Sequence, residues 1–233
     1  MTILGIDTAG RTMSVALLEN DTLLCEQTLA TGLTHSETLL PTVDAVLKAA
    51  GKTCADIDLF GVCAGPGSFT GLRIGLCAVK GLAFPANTPC AAVSTLEALA
   101  WSHAGTGTVV AAQDARRGEV YWAAFDLATH QRITPDAASP VEKIRAVAET
   151  CPKPLLFVGD GAYLCESAFS AVPGVLPCPA ALRTARAAGV CLAAKAMAEH
   201  GETCPPAALL PSYHRLSQAE RQRAERLAQT TEG

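Results

Sequence analysis

The sequence lacks any closely spaced pair of cysteines, although it contains ten cysteine residues. No two of them are closer than nine positions apart, so a Cys-x-x-Cys motif for zinc binding or redox chemistry is excluded. Several, such as Cys63, Cys77 and Cys191, stand in apolar runs, where a free cysteine behaves as a small hydrophobic residue. Because no secretion signal accompanies them, we expect neither a structural metal nor a disulfide framework.

Long apolar runs and basic segments are absent as well. No uncharged apolar stretch reaches the length of about 18 residues that suggests a membrane span. Residues 1–7 contain no basic residue and reach a carboxylate at Asp7, which is not the pattern of a signal peptide. The formal net charge is −4 and the pI is about 5.7. Proteins that bind nucleic acid unaided usually carry a basic patch, so we expect a soluble, cytoplasmic protein whose RNA contacts, if any, are shared with a partner.

The most informative segment is the glycine-rich stretch 65–73. It follows an apolar run, 59–64, and precedes an amphipathic run, 72–83, which predicts the order strand, turn, helix. Ser68 and Thr70 are candidate caps for the helix. Such a turn either presents free N–H groups to an anion or lets a helix pack closely on a sheet, and spacing alone leaves both open.

The chain divides into two similar halves. In the first, apolar patterning predicts strands at 2–7, 13–18, 22–29, 59–64 and 90–93, and helices at 35–50, 71–84 and 94–103. In the second, it predicts strands at 108–113, 119–127 and 155–158, helices at 141–151 and 184–200, and a polar tail at 214–233. Each half opens with a strand that delivers an aspartate, Asp7 or Asp114, to a turn. This repetition indicates a duplicated α/β architecture with a ligand cleft where the strand ends converge.

Eight stretches of the sequence resemble the TsaB family, formerly called YeaZ. They are 6–8 (IDT), 35–41 (HSETLLP), 65–75 (GPGSFTGLRIG), 80–81 (KG), 94–99 (STLEAL), 114–121 (DARRGEVY), 159–162 (GDGA) and 211–213 (PSY). The resemblance implies the α/β ASKHA fold, the duplicated architecture of actin and sugar kinases. It divides the chain into an N-terminal subdomain at 1–104, a C-terminal subdomain at 105–213 and a polar tail at 214–233.

The resemblance also implies a function. TsaB proteins take part in the N6-threonylcarbamoylation of adenosine 37 in tRNAs that read ANN codons, as non-catalytic partners of the catalytic paralogue TsaD and the ATPase TsaE. We therefore expect a scaffold that pairs with a TsaD-like protein, or with a second copy of itself, and meets tRNA only through the complex, with no membrane contact. We expect no firmly bound cofactor, and nucleotide binding that is weak or shared with a partner. An ATPase or kinase of the same fold and a metallopeptidase are the alternatives.

The histidine pattern disfavours the metallopeptidase. TsaD-type proteins hold a metal with two histidines four residues apart on one helix, a spacing that places both rings on one face. Here His35 is followed at that spacing by Leu39. We therefore predict no metal site and no catalytic residue in this chain.

The two predicted turns also depart from an active phosphate site, which uses glycine to let backbone N–H groups approach the phosphate. The first turn has its glycine one place late, at Gly10, and the second has an arginine instead. The two aspartates either position a metal or a water, or bond the next turn as ordinary strand-end residues. The candidates for a vestigial nucleotide site are Asp7, Thr8, Gly67, Ser68, Asp114 and Arg116.

The helices predicted at 35–50 and 71–84 are candidates for a partner surface. Gly71 and Gly75 are four residues apart, and each glycine costs about 1 kcal/mol relative to alanine inside a helix. Small residues at this spacing admit either a partner helix or the chain's own sheet. The family pairs through these two helices. The interface candidates are therefore His35, Leu39, Leu40, Val43, Gly71, Arg73, Gly75 and Val79.

Overall fold

The computed structural model describes residues 1–214, which form two five-stranded sheets. The first sheet contains β1 (Thr2–Asp7), β2 (Met13–Glu19), β3 (Thr22–Leu29), β4 (Leu59–Gly65) and β5 (Cys90–Ser94), in the order β3-β2-β1-β4-β5. β1 pairs antiparallel with β2 and parallel with β4. The strands predicted at 13–18 and 22–29 pair antiparallel as β2 and β3, and the glycine-rich turn after β4 leads into a helix as the sequence predicts.

Helices cover both faces of the first sheet. They are α1 (His35–Ala49), α2 (Phe69–Ala83), α3 (Thr95–Trp101) and, from the end of the chain, α6 (Ala187–Glu199). Alternate residues of β1 point to opposite faces: Leu4 packs with α1 and α2, whereas Ile3 packs with α6. Because both faces are buried, the central strands read as continuous apolar runs rather than as alternating ones.

The second sheet repeats the pattern of the first. It contains β6 (Thr108–Arg116), β7 (Glu119–Asp126), β8 (Ala137–Pro140), β9 (Leu155–Val158) and β10 (Val175–Leu176), in the order β10-β9-β6-β7-β8. β6 pairs antiparallel with β7 and parallel with β9, as β1 does with β2 and β4. Helices α4 (Arg145–Thr150) and α5 (Ala162–Phe169) pack in this half. The duplicated α/β architecture is confirmed.

The end of the described chain returns to the first sheet. Helix α6 contributes Val190 and Cys191 to the core around Ile3. The segment 201–214, which we call the C-terminal strap, buries Leu209 against the other face of that sheet. We call the first sheet with its helices the first lobe, and the second sheet with its helices the second lobe. Residues 187–213 thus lie mostly on the first lobe, which corrects their assignment to the second subdomain. The strand-pairing repeat predicts the two sheets, but it carries no information on which sheet a later helix covers.

Several element boundaries differ from the predicted ones. Helix α2 begins at Phe69, two residues early, because the Ser68 hydroxyl caps it by accepting a hydrogen bond from Gly71 N at 3.3 Å. The predicted helix at 141–151 is a 3₁₀ turn (Val141–Ile144) followed by α4. Strand β8 contains no large apolar residue and β10 has only two residues, so the apolar pattern predicted neither. Apart from His214, the predicted tail lies outside the described residues. None of the helices within residues 1–214 is long and apolar enough to cross a membrane.

Candidate functional site

A cleft of about 430 Å³ lies where the first strands of the two halves end. Its walls come from the turn after β1, the glycine-rich turn before α2, the β6–β7 hairpin and the end of the strap. The lining residues are Ala9, Gly10, Arg11, Gly67, Ser68, Phe69, Leu72, Gln113, Asp114, Ala115, Arg116, Tyr121, Asp160, Ser212, Tyr213 and His214. Four of the six vestigial-site candidates are among them, and the other two, Asp7 and Thr8, are buried at the end of β1.

Asp7 is a buried carboxylate that lies beside the Cys63 thiol. Its Oδ1 accepts a hydrogen bond from Ala9 N at 2.8 Å, whereas Oδ2 has no hydrogen-bond partner among the described residues. Burial raises the pKa of Asp7, whereas the hydrogen bond from Ala9 N and the neighbouring Cys63 thiol act in the opposite direction. The bond to the residue two positions on is what the strand-end interpretation predicts.

Asp114 repeats this arrangement in the second half. Its Oδ1 accepts a hydrogen bond from Arg116 N at 2.7 Å, and Asp114 N donates to Asp160 Oδ1 at 2.9 Å. Burial raises the pKa of Asp160, and the Asp114 carboxylate adds to the rise. The sequence analysis assigned no role to Asp160. Its position in a Gly-Asp-Gly turn directly after a strand, within the motif at 159–162, was the signal that could have identified it.

Arg116 occupies the turn position where a phosphate loop has glycine. Its φ is +67°, in the left-handed region that favours glycine. The side chain lines the cleft and lies 3.4 Å from Asp114 Oδ2. The Arg116 guanidinium and the Asp114 carboxylate therefore occupy the place where a phosphate site needs free backbone N–H groups.

The glycine-rich turn packs closely against the end of β1. Ser68 N donates to Ala9 O at 2.7 Å, and a Cβ on Gly67 would lie only 2.6 Å from the same oxygen. The amide of Ser68 is thus bonded within the chain. These contacts fit the close-packing alternative for this turn.

The candidate metal-site histidine bonds to the backbone. His35 Nε2 lies 3.0 Å from Gly10 O, and Leu39 is 1% exposed in the first core. Within residues 1–214, no group of three or more His, Cys, Asp or Glu side chains is placed to hold a metal ion. The absence of a metal in solution stays a prediction.

Five of the eight interface candidates are buried within the chain itself, so their contact with a partner stays a prediction. A Cβ on Gly71 would lie 2.1 Å from Thr8 O, and one on Gly75 would lie 2.4 Å from Thr8 Oγ1. The glycines therefore admit the end of β1 rather than a partner helix. The side chains of Leu39, Val43 and Val79 are also buried.

The outward side of α1 and α2 consists of other residues. On α1, Leu40 is 55% exposed. Along α2, one exposed stripe runs over Thr70, Arg73, Cys77 and Gly81 to Phe84, the C-cap. A Cβ on Gly81 would meet no atom within 4 Å among the described residues. We call Leu40 and this stripe the outer face. It retains two of the predicted candidates, Leu40 and Arg73, while His35 is half-buried.

The sequence analysis missed a contact that joins the outer face to the cleft. The rings of Phe69 and Tyr213 stack with centroids 4.3 Å apart. Arg73 Nε donates to the Tyr213 hydroxyl at 3.0 Å, and its guanidinium lies 4.0 Å from the Phe69 ring centroid. Ser212 N donates to Ala64 O at 2.7 Å, which fixes the strap beside this cluster. The Pro-Ser-Tyr motif at 211–213 was the only sequence signal.

The comparisons with known proteins agree with this geometry. A family model described as TsaD, tRNA N6-adenosine threonylcarbamoyltransferase, matches residues 30–223. The Bacillus subtilis tRNA threonylcarbamoyladenosine biosynthesis protein TsaB is 31% identical over 225 residues, which cover 94% of this chain and 96% of that protein. The chain belongs to the TsaB family. The Escherichia coli TsaB protein is 43% identical over 133 residues, which cover 54% of this chain and 55% of that protein.

Solved structures support the TsaB assignment and the fold. A Pseudomonas aeruginosa protein described as similar to the peptidase YeaZ superposes with a TM-score of 0.76 at 29% identity, covering 92% of this chain and 99% of that one. Component A of (R)-2-hydroxyglutaryl-CoA dehydratase from Acidaminococcus fermentans has a TM-score of 0.54 at 13% identity, covering 85% and 99% of the two chains. The second similarity concerns the fold alone. The TsaB chain has the duplicated ASKHA-type fold that the resemblance implied.

Proposed function

We propose that this chain is a non-catalytic subunit of the system that makes N6-threonylcarbamoyladenosine in tRNA. In this proposal it pairs with a TsaD-like catalytic paralogue, works with a TsaE-like ATPase, and contacts tRNA only within the complex. The modified nucleoside is adenosine 37 of tRNAs that read ANN codons. Membership of the TsaB family, whose relatives are named for this biosynthesis, supports the assignment.

The non-catalytic role is supported by how the aspartates at the two strand-end turns are bonded. Asp7 and Asp114 each accept a hydrogen bond from the residue two positions on, so both carboxylates hold their own turns. Arg116 stands in the second turn and pairs with Asp114. A phosphate that entered the cleft would have to displace this pair, because the backbone N–H groups need close approach to bind it.

The outer face is the surface that we propose for the TsaD-like partner. Gly81 lies inside α2 and costs about 1 kcal/mol relative to alanine. No close contact within residues 1–214 accounts for it. Beside it, Cys77 is exposed and Phe84 is 73% exposed. A small residue next to exposed apolar groups suits the close approach of a partner helix.

The test is the substitution Gly81→Leu in the full-length chain. The added side chain occupies the space that the partner's backbone needs, so we expect affinity for the TsaD-like protein to fall at least tenfold, which corresponds to about 1.4 kcal/mol. The melting temperature stays the same or rises, because leucine favours the helix. Isothermal titration calorimetry measures the affinity, and a tRNA threonylcarbamoylation assay measures the resulting activity.

The matched control is Ala146→Leu, which adds a similar side chain to an exposed position of α4 on the second lobe. It should change neither affinity nor activity. Unchanged binding by Gly81→Leu would remove the outer face from the proposal. Full tRNA modification by the TsaD-like and TsaE-like proteins in the absence of this chain would overturn the proposed function itself.

A further inference from the structure

Two cysteines lie opposite each other where the strap meets the first sheet. Cys90 is the first residue of β5, which is an edge strand, and Cys204 is in the strap. Cys90 N donates to Cys204 O, and Cys204 N donates to Cys90 O, both at 2.8 Å. The two residues form an isolated antiparallel bridge, and both carry free thiols.

This bridge has the spacing that a disulfide needs. Residues that exchange both hydrogen bonds across an antiparallel pair have Cα atoms about 5.5 Å apart. Disulfide-bonded cysteines usually have Cα atoms about 4.4–6.8 Å apart. Directly opposed side chains also point to the same face, and both cysteines contact the same core cluster.

The two thiols differ in access. Cys90 is 0% exposed, and burial raises its pKa to about 11. Cys204 is partly exposed, and burial raises its pKa as well. The charged group near both is Lys80, whose ammonium opposes the rise by favouring the thiolates. Cys204 is therefore the thiol that an external reagent meets first, and Cys90 is placed to attack it from inside.

We propose that Cys90 and Cys204 are a reversible redox pair that a small-molecule disulfide, such as oxidised glutathione, converts into an intramolecular disulfide. The Cys204 thiolate attacks the reagent, forms a mixed disulfide and releases one glutathione thiol. Cys90 then attacks the Cys204 sulfur, and the second glutathione leaves as a thiol. Two cysteine thiols are oxidised, one disulfide is reduced, and the two protons end on the released thiols.

The disulfide would tie the strap to the sheet. It would close a loop of roughly 110 residues, and a cross-link of that length restricts the unfolded chain strongly. The strap carries Leu209 in the first core and Tyr213 in the stack with Phe69. Oxidation would thus hold in place the segment that links the cleft to Arg73 on the outer face.

The experiment treats the folded full-length chain with oxidised glutathione and measures the intact mass, with peptide mapping under non-reducing conditions. The variant Cys77→Ser is the background, since it removes the exposed cysteine that would otherwise take up glutathione. We expect a product lighter by two hydrogens, a Cys90–Cys204 linked peptide, and a melting temperature higher by roughly 5–15 °C. Dithiothreitol should reverse all three.

The double variant Cys77→Ser/Cys204→Ser is the control and should show none of these changes. Cys77→Ser/Cys204→Ala serves in its place if the serine variant does not fold. Two results would overturn the proposal: oxidation that yields only glutathione adducts, or a two-hydrogen loss that persists without Cys204. Raising the pH from 7 to 9 should speed the reaction, because more of each thiol is then ionised.

Discussion

At the scale of single residues, Asp7 is a carboxylate buried at the end of β1. It is 1% exposed, and one of its carboxylate oxygens lacks a hydrogen-bond partner within residues 1–214. Burying such a group without compensation costs free energy. Asp114, at the equivalent turn of the second half, is partly exposed and lies beside Arg116. The two halves thus keep the same turn geometry in different electrostatic surroundings.

Asp7→Asn should become more stable relative to the wild type as the pH rises from 4 to 7. Because burial raises the pKa of Asp7 above its ordinary value of 3.8, the folded chain holds the proton more tightly than the unfolded chain does. The wild type therefore loses stability as the pH rises through the folded pKa, by about 1.4 kcal/mol for each unit of elevation. The asparagine does not titrate. Urea unfolding at several pH values measures the difference.

Asp126→Asn is the control for this experiment, since hydrogen bonds from Thr129 lower the pKa of Asp126. A lowered folded pKa gives the wild type a stability that is present above the unfolded pKa of about 3.9 and is lost only as the pH falls below it, so between pH 5 and 7 this variant should keep a nearly constant difference from the wild type. A difference for Asp7→Asn that stays constant across the pH range would contradict the raised pKa.

At the scale of elements, α2 carries glycines on two different sides. Gly71 and Gly75 face Thr8 at the end of β1, whereas a Cβ on Gly81 would meet no atom of residues 1–214 within 4 Å. The first two explain how the helix lies so close to the sheet and to the cleft. The third has no explanation among these residues and is available for an external contact. One helix thus serves both the core and the outer face.

Substitution of Gly75 by alanine should lower stability, whereas the same change at Gly81 should raise it. The alanine Cβ at position 75 would lie 2.4 Å from Thr8 Oγ1, which also bonds to Gly71 O at 2.8 Å. Overpacking of this kind costs about 1–3 kcal/mol. At position 81 the gain is up to about 1 kcal/mol from helix propensity. Free energies of unfolding from urea titrations compare the pair, and equal effects at both positions would contradict the assignment of Gly75 to the sheet side of α2 and of Gly81 to its outward side.

At the scale of the whole molecule, the strap joins the two lobes across the mouth of the cleft. Ser212 and Tyr213 bond to the first lobe, while His214 Nε2 lies 3.9 Å from Asp136 Oδ2 on the second. Asp136 also accepts hydrogen bonds from Ser94 and Arg132, so the β7–β8 connection and the first lobe share one polar cluster. The cleft is therefore lined partly by residues 212–214 of the strap.

The chain alone should show negligible ATP turnover. Arg116 and the strap residues Ser212 to His214 occupy the walls of the cleft that an ATPase would use for phosphates. A coupled phosphate-release assay on the purified chain measures the rate. A robust rate that is lost in Asp7→Asn would restore the ATPase or kinase alternative. Retention of that rate in Asp7→Asn would indicate a contaminating enzyme.

Local patterning predicted the strands and helices that carry the site. The apolar runs at 2–7 and 59–64, the strand pair at 13–29 and the repeat of strand, aspartate and turn all form in the structure. Of the two candidate caps for α2, Ser68 caps the helix through its hydroxyl. These features depend on interactions between residues close in sequence, so the local sequence is enough to predict them.

The tertiary structure decided which side of each helix packs on a sheet and which side faces outward. Gly71 and Gly75 have the spacing of a contact surface, but spacing does not say whether a sheet or a partner lies opposite, and here the end of β1 does. The return of α6 to the first sheet, the isolation of Asp7 Oδ2 and the Cys90–Cys204 bridge likewise join residues far apart in sequence. Burial of apolar surface drives distant segments together, but it is non-directional. Only the complete packing arrangement therefore decides which of these segments meet.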